Sequence, residues 1–320
     1  MRLFPLFLSL ALIPIFLFGG YSHVSGKWSP EQYAPTQSMQ EHYDQGYQQL
    51  YAQEWDEALT HFMVVVYHYP ESPFYSDALF YTGVCYYFKS ELDLANKQFN
   101  KYLALGGKLK HFEKVFEFKL QIAGFYAQGK KKHMFGIAKL PKWAPAKSDA
   151  VELYDEIIAA LPAQDLAATA LYKKADLLST RKEYRESIEA LQTLARRFPK
   201  HTLAAESYLR ISEIYLEQSR RESQNPDLIA LAQVNIQRFG KSFPSDERVL
   251  QAHDTLIAMQ EVYAQSLYDT GRFYERKKKP HASAIYYHDA ILRYPETQAA
   301  AKCGERLAKL VLPNKKSDVR

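Results

Sequence analysis

Six times along the chain a small residue is followed four positions later by a large one, and eight positions after that by a residue that stops helices. The copies are Ala58, Phe62, Pro70; Ala95, Phe99, Gly107; Ala150, Tyr154, Pro162; Ser187, Leu191, Pro199; Ala232, Ile236, Pro244; and Ser283, Tyr287, Pro295. The residue before each proline is Tyr69, Leu161, Phe198, Phe243 or Tyr294, always apolar or aromatic. A spacing of four puts the small and large residues on one helical face. The proline ends that helix, because it has no N–H to donate and pushes the preceding residue out of the helical region.

A second small residue stands twelve positions before the first in four copies: Gly46, Gly83, Ala175 and Gly271. Two small residues on successive antiparallel helices let the backbones approach closely, and the large residue one turn on fills the space beside the contact. Asp165, Thr202, Ser245 and Thr297 stand where an N-cap for the next helix is expected. This spacing resembles that of tetratricopeptide repeats, helical hairpins of about 34 residues that stack on their neighbours. The expected fold is therefore all-α, a tetratricopeptide-repeat solenoid of about six helical hairpins plus a C-terminal capping helix. The intervals between stops are irregular, which places insertions in the third, fifth and sixth units.

At 320 residues, 47% hydrophobic and 24% charged, the chain can bury a large core. The stretch Leu3 to Phe18 is apolar apart from Ser9 and two prolines, and follows a positive start at Met1 and Arg2. Residues 1–26 read as a signal peptide or signal anchor, with cleavage after Ser22 or Gly26 both open. Export lowers the prior for nucleotide chemistry and nucleic-acid binding. Cys85 and Cys303 are far apart in expected helices and read as core thiols. Units one and two then occupy 27–105, a basic insertion and unit three 106–165, units four to six with the capping helix 166–312, and a polar disordered tail 313–320.

Catalytic constellations are scarce. The chain has no phosphate-binding glycine loop, no HExxH and no GxSxG elbow. His61 and His68 share a helix without a third metal ligand, and Glu206 next to Ser207 lacks the glycine-rich stretch that would make the pair suggestive of a glycan-cleaving enzyme. The expectation is a non-enzymatic protein with no catalytic residue, metal or cofactor. Binding is better supported. Tyr43, Tyr47, Tyr51, Phe80, Tyr87 and Phe88 fall on the first helices of units one and two, forming an aromatic stripe suited to an extended peptide. Packing of hairpin on hairpin is the competing role for each ring. Charge is also localised: from Lys108 to Lys147 ten lysines face only Glu113 and Glu117. Lys130, Lys131, Lys132, Lys139 and Lys142 are its core, interleaved with Phe135 and Trp143, and could meet acidic lipid or an acidic partner. A solvated linker joining the two helices of unit three fits equally.

From about residue 166 to 311 the chain resembles the BamD family, the periplasmic repeat component of the outer-membrane β-barrel assembly machinery. The likeness rests on Phe273 and Tyr274, the basic turn Arg276 to Lys279, Ala282 and Ser283, and Tyr294, Pro295, Glu296, Thr297 and Ala299. The long hairpin loop "RRESQNPDL" of unit five and the first unit also fit. The resemblance implies a scaffold at the inner face of the outer membrane, exported to the periplasm, membrane-associated and binding no nucleic acid. Its partners would be unfolded outer-membrane proteins and a POTRA-containing assembly protein. It makes the aromatic stripe a client-binding candidate and Arg272, Tyr274 and Arg276 docking candidates. Family members carry a lipidated signal cysteine, whereas no cysteine occurs from Met1 to Val84, so attachment by that route is not expected. Unit one equally resembles the CpoB-type adaptors of the Tol-Pal system, the alternative reading.

Overall fold

The computed structural model describes residues 21–24, 27–223 and 225–311. The expected tail 313–320 lies outside them, as does the expected signal segment apart from Tyr21–Val24. Those residues form β1 (Tyr21–Val24), which pairs antiparallel with β2 (Lys27–Pro30) in a small hairpin. Among the described residues the elements after it are helices: α1 (Met39–Tyr51), α2 (Trp55–His68), α3 (Tyr75–Phe88), α4 (Leu92–Leu103), α5 (Phe112–Ala127), α6 (Lys147–Ala160), α7 (Asp165–Thr180), α8 (Tyr184–Arg197), α9 (Thr202–Arg221), α10 (Asp227–Ser242), α11 (Arg248–Arg276), α12 (Pro280–Arg293) and α13 (Gln298–Val311), with short 3₁₀ turns at Glu31–Tyr33 and Met134–Gly136. Taken in pairs these are six helical hairpins and a final helix, the tetratricopeptide-repeat solenoid fold. The chain forms two compact units, residues up to Phe118 with Lys131–Ala144, and Lys119–Lys130 with the remainder from Pro145.

The repeated spacing has one physical meaning throughout. Ala58, Ala95, Ala150, Ser187, Ala232 and Ser283 are all completely buried, and the large residues four positions on, from Phe62 to Tyr287, are buried with them. Where the opposing small residue is glycine, the reason is direct. A Cβ on Gly46 would lie 3.0 Å from the Phe62 ring, one on Gly83 2.5 Å from Phe99, and one on Gly271 2.4 Å from Tyr287. In the fourth unit the opposing residue is Ala175 and the large one is Leu191, both fully buried in one core cluster. Glycine thus faces an aromatic ring and alanine faces leucine, so the volume at the helix crossing is conserved as the residues change. Ser187 and Ser283 satisfy their buried hydroxyls by donating to the carbonyls of Ala175 and Gly271, at 2.7 and 2.8 Å.

The turns repeat as well. Gln53, Ser90, Lys182 and Lys278 adopt left-handed φ of 62°, 59°, 68° and 58° at the hairpin bends. Each is followed by an N–H bonded back to the helix before it, Glu54 to Gln49, Glu91 to Tyr86, Glu183 to Leu178 and Lys279 to Tyr274, which closes the helix end. At the other end of five of the hairpins, Tyr69, Leu161, Phe198, Phe243 and Tyr294 leave the helix with φ between −123° and −138° and ψ between 54° and 66°, outside the helical region that a following proline disfavours. The expected N-caps fare unevenly. Thr297 accepts from Ala300 N–H. Asp165 and Thr202 are instead the first helical residues of α7 and α9, with His201 capping Leu203 N–H. Near α11 it is Asp246, not Ser245, that accepts from Arg248 N–H.

Both cysteines are buried free thiols; burial pushes Cys85 up to about 12 and Cys303 to about 11. Lys119 is wholly buried in α5 and paired with Glu156, and burial pulls its ammonium below the usual lysine range. In the first unit His42 is nearly inaccessible. Its Nε2 accepts from Thr36 and Gln37 N–H, at 3.2 and 3.3 Å, so its proton sits on Nδ1, 3.0 Å from Nδ1 of His61. Burial, then the neighbouring His61, hold His42 below the ordinary imidazole range, and burial does the same to His61. With the folded value depressed, the unfolded chain binds more protons over the interval below the ordinary value near 6.5. Stability from this pair is therefore present above about pH 6.5 and is lost as the pH falls through the folded value. Thermal unfolding should show a lower Tm at pH 5 than at pH 7.5, and His42→Gln should reduce that slope.

Candidate functional site

The first helices of the first two hairpins carry an aromatic surface whose members are joined across one repeat. Tyr43 stacks on Phe74, with centroids 4.5 Å apart, and its hydroxyl donates to Asp77 at 3.3 Å. Tyr47 packs edge-on against Tyr51 and Tyr81, and the hydroxyls of both lie 3.5 Å from its own. The bond from Tyr51, then that from Tyr81, lowers the Tyr47 phenol below its ordinary range, whereas burial and then Asp77 raise that of Tyr43. Asp77 also faces Lys110 at 3.2 Å and His111 at 3.4 Å. Beside this cluster Phe88 stacks on Trp55, with centroids 4.5 Å apart and planes 12° from parallel.

The six rings of the expected stripe are not equivalent. Tyr51 is 74% and Phe88 50% exposed, and Tyr43, Tyr47 and Tyr87 are half-buried. Phe80 is only 4% exposed, stacked on His111 at 4.1 Å and packed near Phe99 and Tyr102. It belongs to the core and is removed from the surface stripe: it stands 34 residues after Gly46, the buried crossing position of the first hairpin, and so faces inward as that residue does. Half-buried Trp55 and Asp77 complete the surface, and buried Tyr81 supports it from beneath, stacked on Phe62; none of the three was among the expected residues. The signal that finds two of them is the repeat length, since Asp77 and Tyr81 stand 34 residues after Tyr43 and Tyr47, and Asp176 and Arg210 pair across the same separation at 3.0 Å.

At the C-terminal end of α11, Arg272 lies 3.5 Å from Glu275, which also accepts from Tyr287 at 2.9 Å and from Arg306. Burial alone would raise the Glu275 carboxyl, but the bonds from Arg306 and Tyr287 hold it below the usual carboxylate range. Tyr274 stacks on Tyr286 with planes 6° apart. Arg276 is exposed, followed by Lys277, Lys278 and Lys279, so this helix end places cations at the negative pole of the helix. Of the three docking candidates Arg276 is the freely presented charge, and Arg272 is engaged within the fold.

The lysines of the basic stretch separate similarly. Lys130, Lys131 and Lys139 are exposed and Lys132 is half-buried. Lys142 is tied down, 2.8 Å from Glu91 and 3.0 Å from the Ser90 carbonyl. Glu91, Asp93 and His133 bring three ligand-type atoms within 4.8 Å of one another. A divalent cation would accept such donors, but the Lys142 ammonium already faces Glu91, and the histidine nitrogens both face carboxylates, Asp93 at 2.9 Å and Glu91 at 3.3 Å. The arrangement is an ion-paired clamp. Of the other groups with catalytic precedent, Glu206 is held by Arg248 at 2.9 Å while Ser207 donates to Leu203 carbonyl at 2.7 Å, so the two do not face each other. His68 lies 3.0 Å from the Tyr33 carbonyl. Among the described residues no helix is long and apolar enough to cross a membrane.

Comparison with known proteins agrees with this picture. Residues 179–317 match the family model YfiO, described as outer membrane lipoprotein, and residues 42–72 match a tetratricopeptide-repeat model. No curated protein matches the chain. Similar solved structures include a tetratricopeptide repeat protein from Parabacteroides merdae (13% identity, covering 85% of this chain and 98% of that one, TM-score 0.39). Others are a TPR repeats protein from Bacteroides fragilis (10%, 86% and 100%, TM-score 0.40) and MamA from Desulfovibrio magneticus (14%, 65% and 97%, TM-score 0.35). By its repeat spacing and its helical hairpins the chain has the tetratricopeptide-repeat fold; its first unit is similar to the tetratricopeptide repeat and its C-terminal part to the outer membrane lipoprotein family YfiO.

Proposed function

We propose that the protein is a non-enzymatic scaffold for the assembly of outer-membrane β-barrel proteins, acting in the periplasm at the inner face of the outer membrane. The observation that carries this reading is the match of residues 179–317 to the outer membrane lipoprotein family, which coincides with the BamD-like features around Tyr274 and Tyr294. Tetratricopeptide arrays bind other proteins through the surface their stacked hairpins present, and here each compact unit carries its own chemically distinct candidate surface. Tyr47, Tyr51, Tyr87 and Phe88 receive extended segments of unfolded client proteins. Tyr47 accepts from two neighbouring hydroxyls, which leaves its own O–H for a peptide carbonyl. Tyr274 and Arg276, with Arg272 held in register by Glu275, dock the periplasmic domains of a POTRA-containing assembly protein.

Tyr47→Ala combined with Tyr87→Ala should weaken binding of the terminal peptide of an unfolded barrel protein at least about tenfold, with the helical signal in circular dichroism retained; aromatic hot spots cost this much or more when truncated. Loss of helicity in step with binding would show that the two rings hold the hairpins together. Pull-down from detergent-solubilised envelopes of a two-membrane bacterium should recover a POTRA-containing barrel protein. Recovery of Tol-Pal components in its place would move the protein to the CpoB-type adaptors.

A further inference from the structure

Between Lys131 and Ala144 the chain forms a closed lobe that no repeat requires. Its two ends are zipped by a Lys132–Ala144 bridge, with N–H to carbonyl distances of 3.0 and 3.2 Å, and Met134 N–H reaches the Pro141 carbonyl at 3.1 Å. Its root is clamped to the start of α4: buried His133 lies against Asp93 and Glu91, and Lys142 against Glu91 and the Ser90 carbonyl. Yet this fastened lobe turns its apolar side chains outward. Phe135 is 85% exposed, Trp143 68% and Ile137 47%. Phe135 takes a left-handed backbone, φ 54°, just ahead of Gly136 at φ 68°, so the ring is displayed at a tight bend.

Large apolar side chains exposed together on a well-fastened loop mark a contact surface, and the charge beside them selects the counter-surface. Lys131 and Lys139 are exposed within the same lobe, and no Asp or Glu occurs anywhere from Phe118 to Ser148. Tryptophan and phenylalanine at the apolar–polar boundary, flanked by lysines and lacking any acid, match the interfacial layer of an anionic bilayer: the rings enter at headgroup depth and the ammonium groups meet the phosphates. A small-molecule or peptide pocket would enclose such rings, whereas Phe135 and Trp143 stand mostly in solvent. We infer that the lobe Lys131–Ala144 is a membrane-docking wedge that inserts Phe135, Ile137 and Trp143 into the surface of an anionic lipid bilayer, with Lys131 and Lys139 as its electrostatic contacts. The inference is independent of the client-binding and docking assignments above.

The test reads Trp143 itself, so that other segments able to reach a membrane do not decide it. In the full chain carrying Trp28→Phe and Trp55→Phe, Trp143 is the sole tryptophan. With vesicles of equal parts phosphatidylglycerol and phosphatidylcholine, its emission should shift to the blue, brominated acyl chains should quench it, and quenching by aqueous iodide should fall severalfold. Vesicles of phosphatidylcholine alone should do much less. Lys131→Gln and Lys139→Gln should each weaken the vesicle affinity about fivefold at low salt. Phe135→Ser should reduce the quenching by bromolipid while leaving circular dichroism unchanged, since the ring supports no core contact. Unchanged Trp143 emission and iodide access in the presence of anionic vesicles, even with the protein bound to them, would overturn the inference. So would protection of Trp143 by an acidic protein and not by lipid.

Discussion

Phe99→Ala should destabilise the first compact unit by about 3–5 kcal/mol, the range for emptying a fully buried aromatic site. The Phe99 ring is completely inaccessible, lies against the bare backbone of Gly83, stacks on Phe118 with centroids 5.4 Å apart, and neighbours Phe80. A helix backbone at Gly83 cannot move into the space without breaking its own hydrogen bonds. The cavity therefore stays open. Urea denaturation followed by circular dichroism would measure the loss, and hydrogen exchange should place it in α3 and α4. A change below about 1 kcal/mol would mean that the small–large contact does not hold the hairpin together.

The second large effect concerns the reciprocal residue. Gly271→Ala alone should cost a net of about 0–2 kcal/mol: alanine gains about 1 kcal/mol of helix propensity over glycine, but its Cβ would sit 2.4 Å from the Tyr287 ring, and overpacking costs about 1–3 kcal/mol. Tyr287→Leu alone opens a cavity and removes the hydroxyl that donates to Glu275. The fourth unit already uses alanine with leucine, at Ala175 and Leu191. The double variant Gly271→Ala, Tyr287→Leu should therefore be more stable than the sum of its parts, with a coupling of about 1–3 kcal/mol in a double-mutant cycle. Strict additivity would show that the pairing of glycine with rings and alanine with leucine is coincidental.

Residues whose role depends on spacing along one hairpin were legible without coordinates. Ala58 through Ser283 read as the crossing contacts, and Tyr69 through Tyr294 as the last residues before a forced stop, and the structure has them so. N-caps were legible only to within a residue or two, because several polar groups compete at each helix start: His201 and Asp246 took the positions assigned to Thr202 and Ser245. The candidate surfaces were legible only as composition. Phe80 and Tyr51 are both aromatic residues on a first helix, but one is enclosed by His111 and Tyr102 from elsewhere in the chain and the other meets solvent. Lys139 and Lys142 differ in the same way, through the presence of Glu91 beside one of them.

The amino-acid sequence by itself determined that this protein is built of helical hairpins and where the proline-stopped ones end, because those features rest on periodicity, backbone sterics and the missing N–H of proline, all of which act within one stretch of chain. Which rings, lysines and arginines are left to meet another molecule was decided by tertiary structure alone. Exposure and ion pairing depend on side chains that arrive from thirty or more residues away, as Glu91 does at Lys142 and Arg306 at Glu275, and no local pattern encodes which of two similar residues will find such a partner.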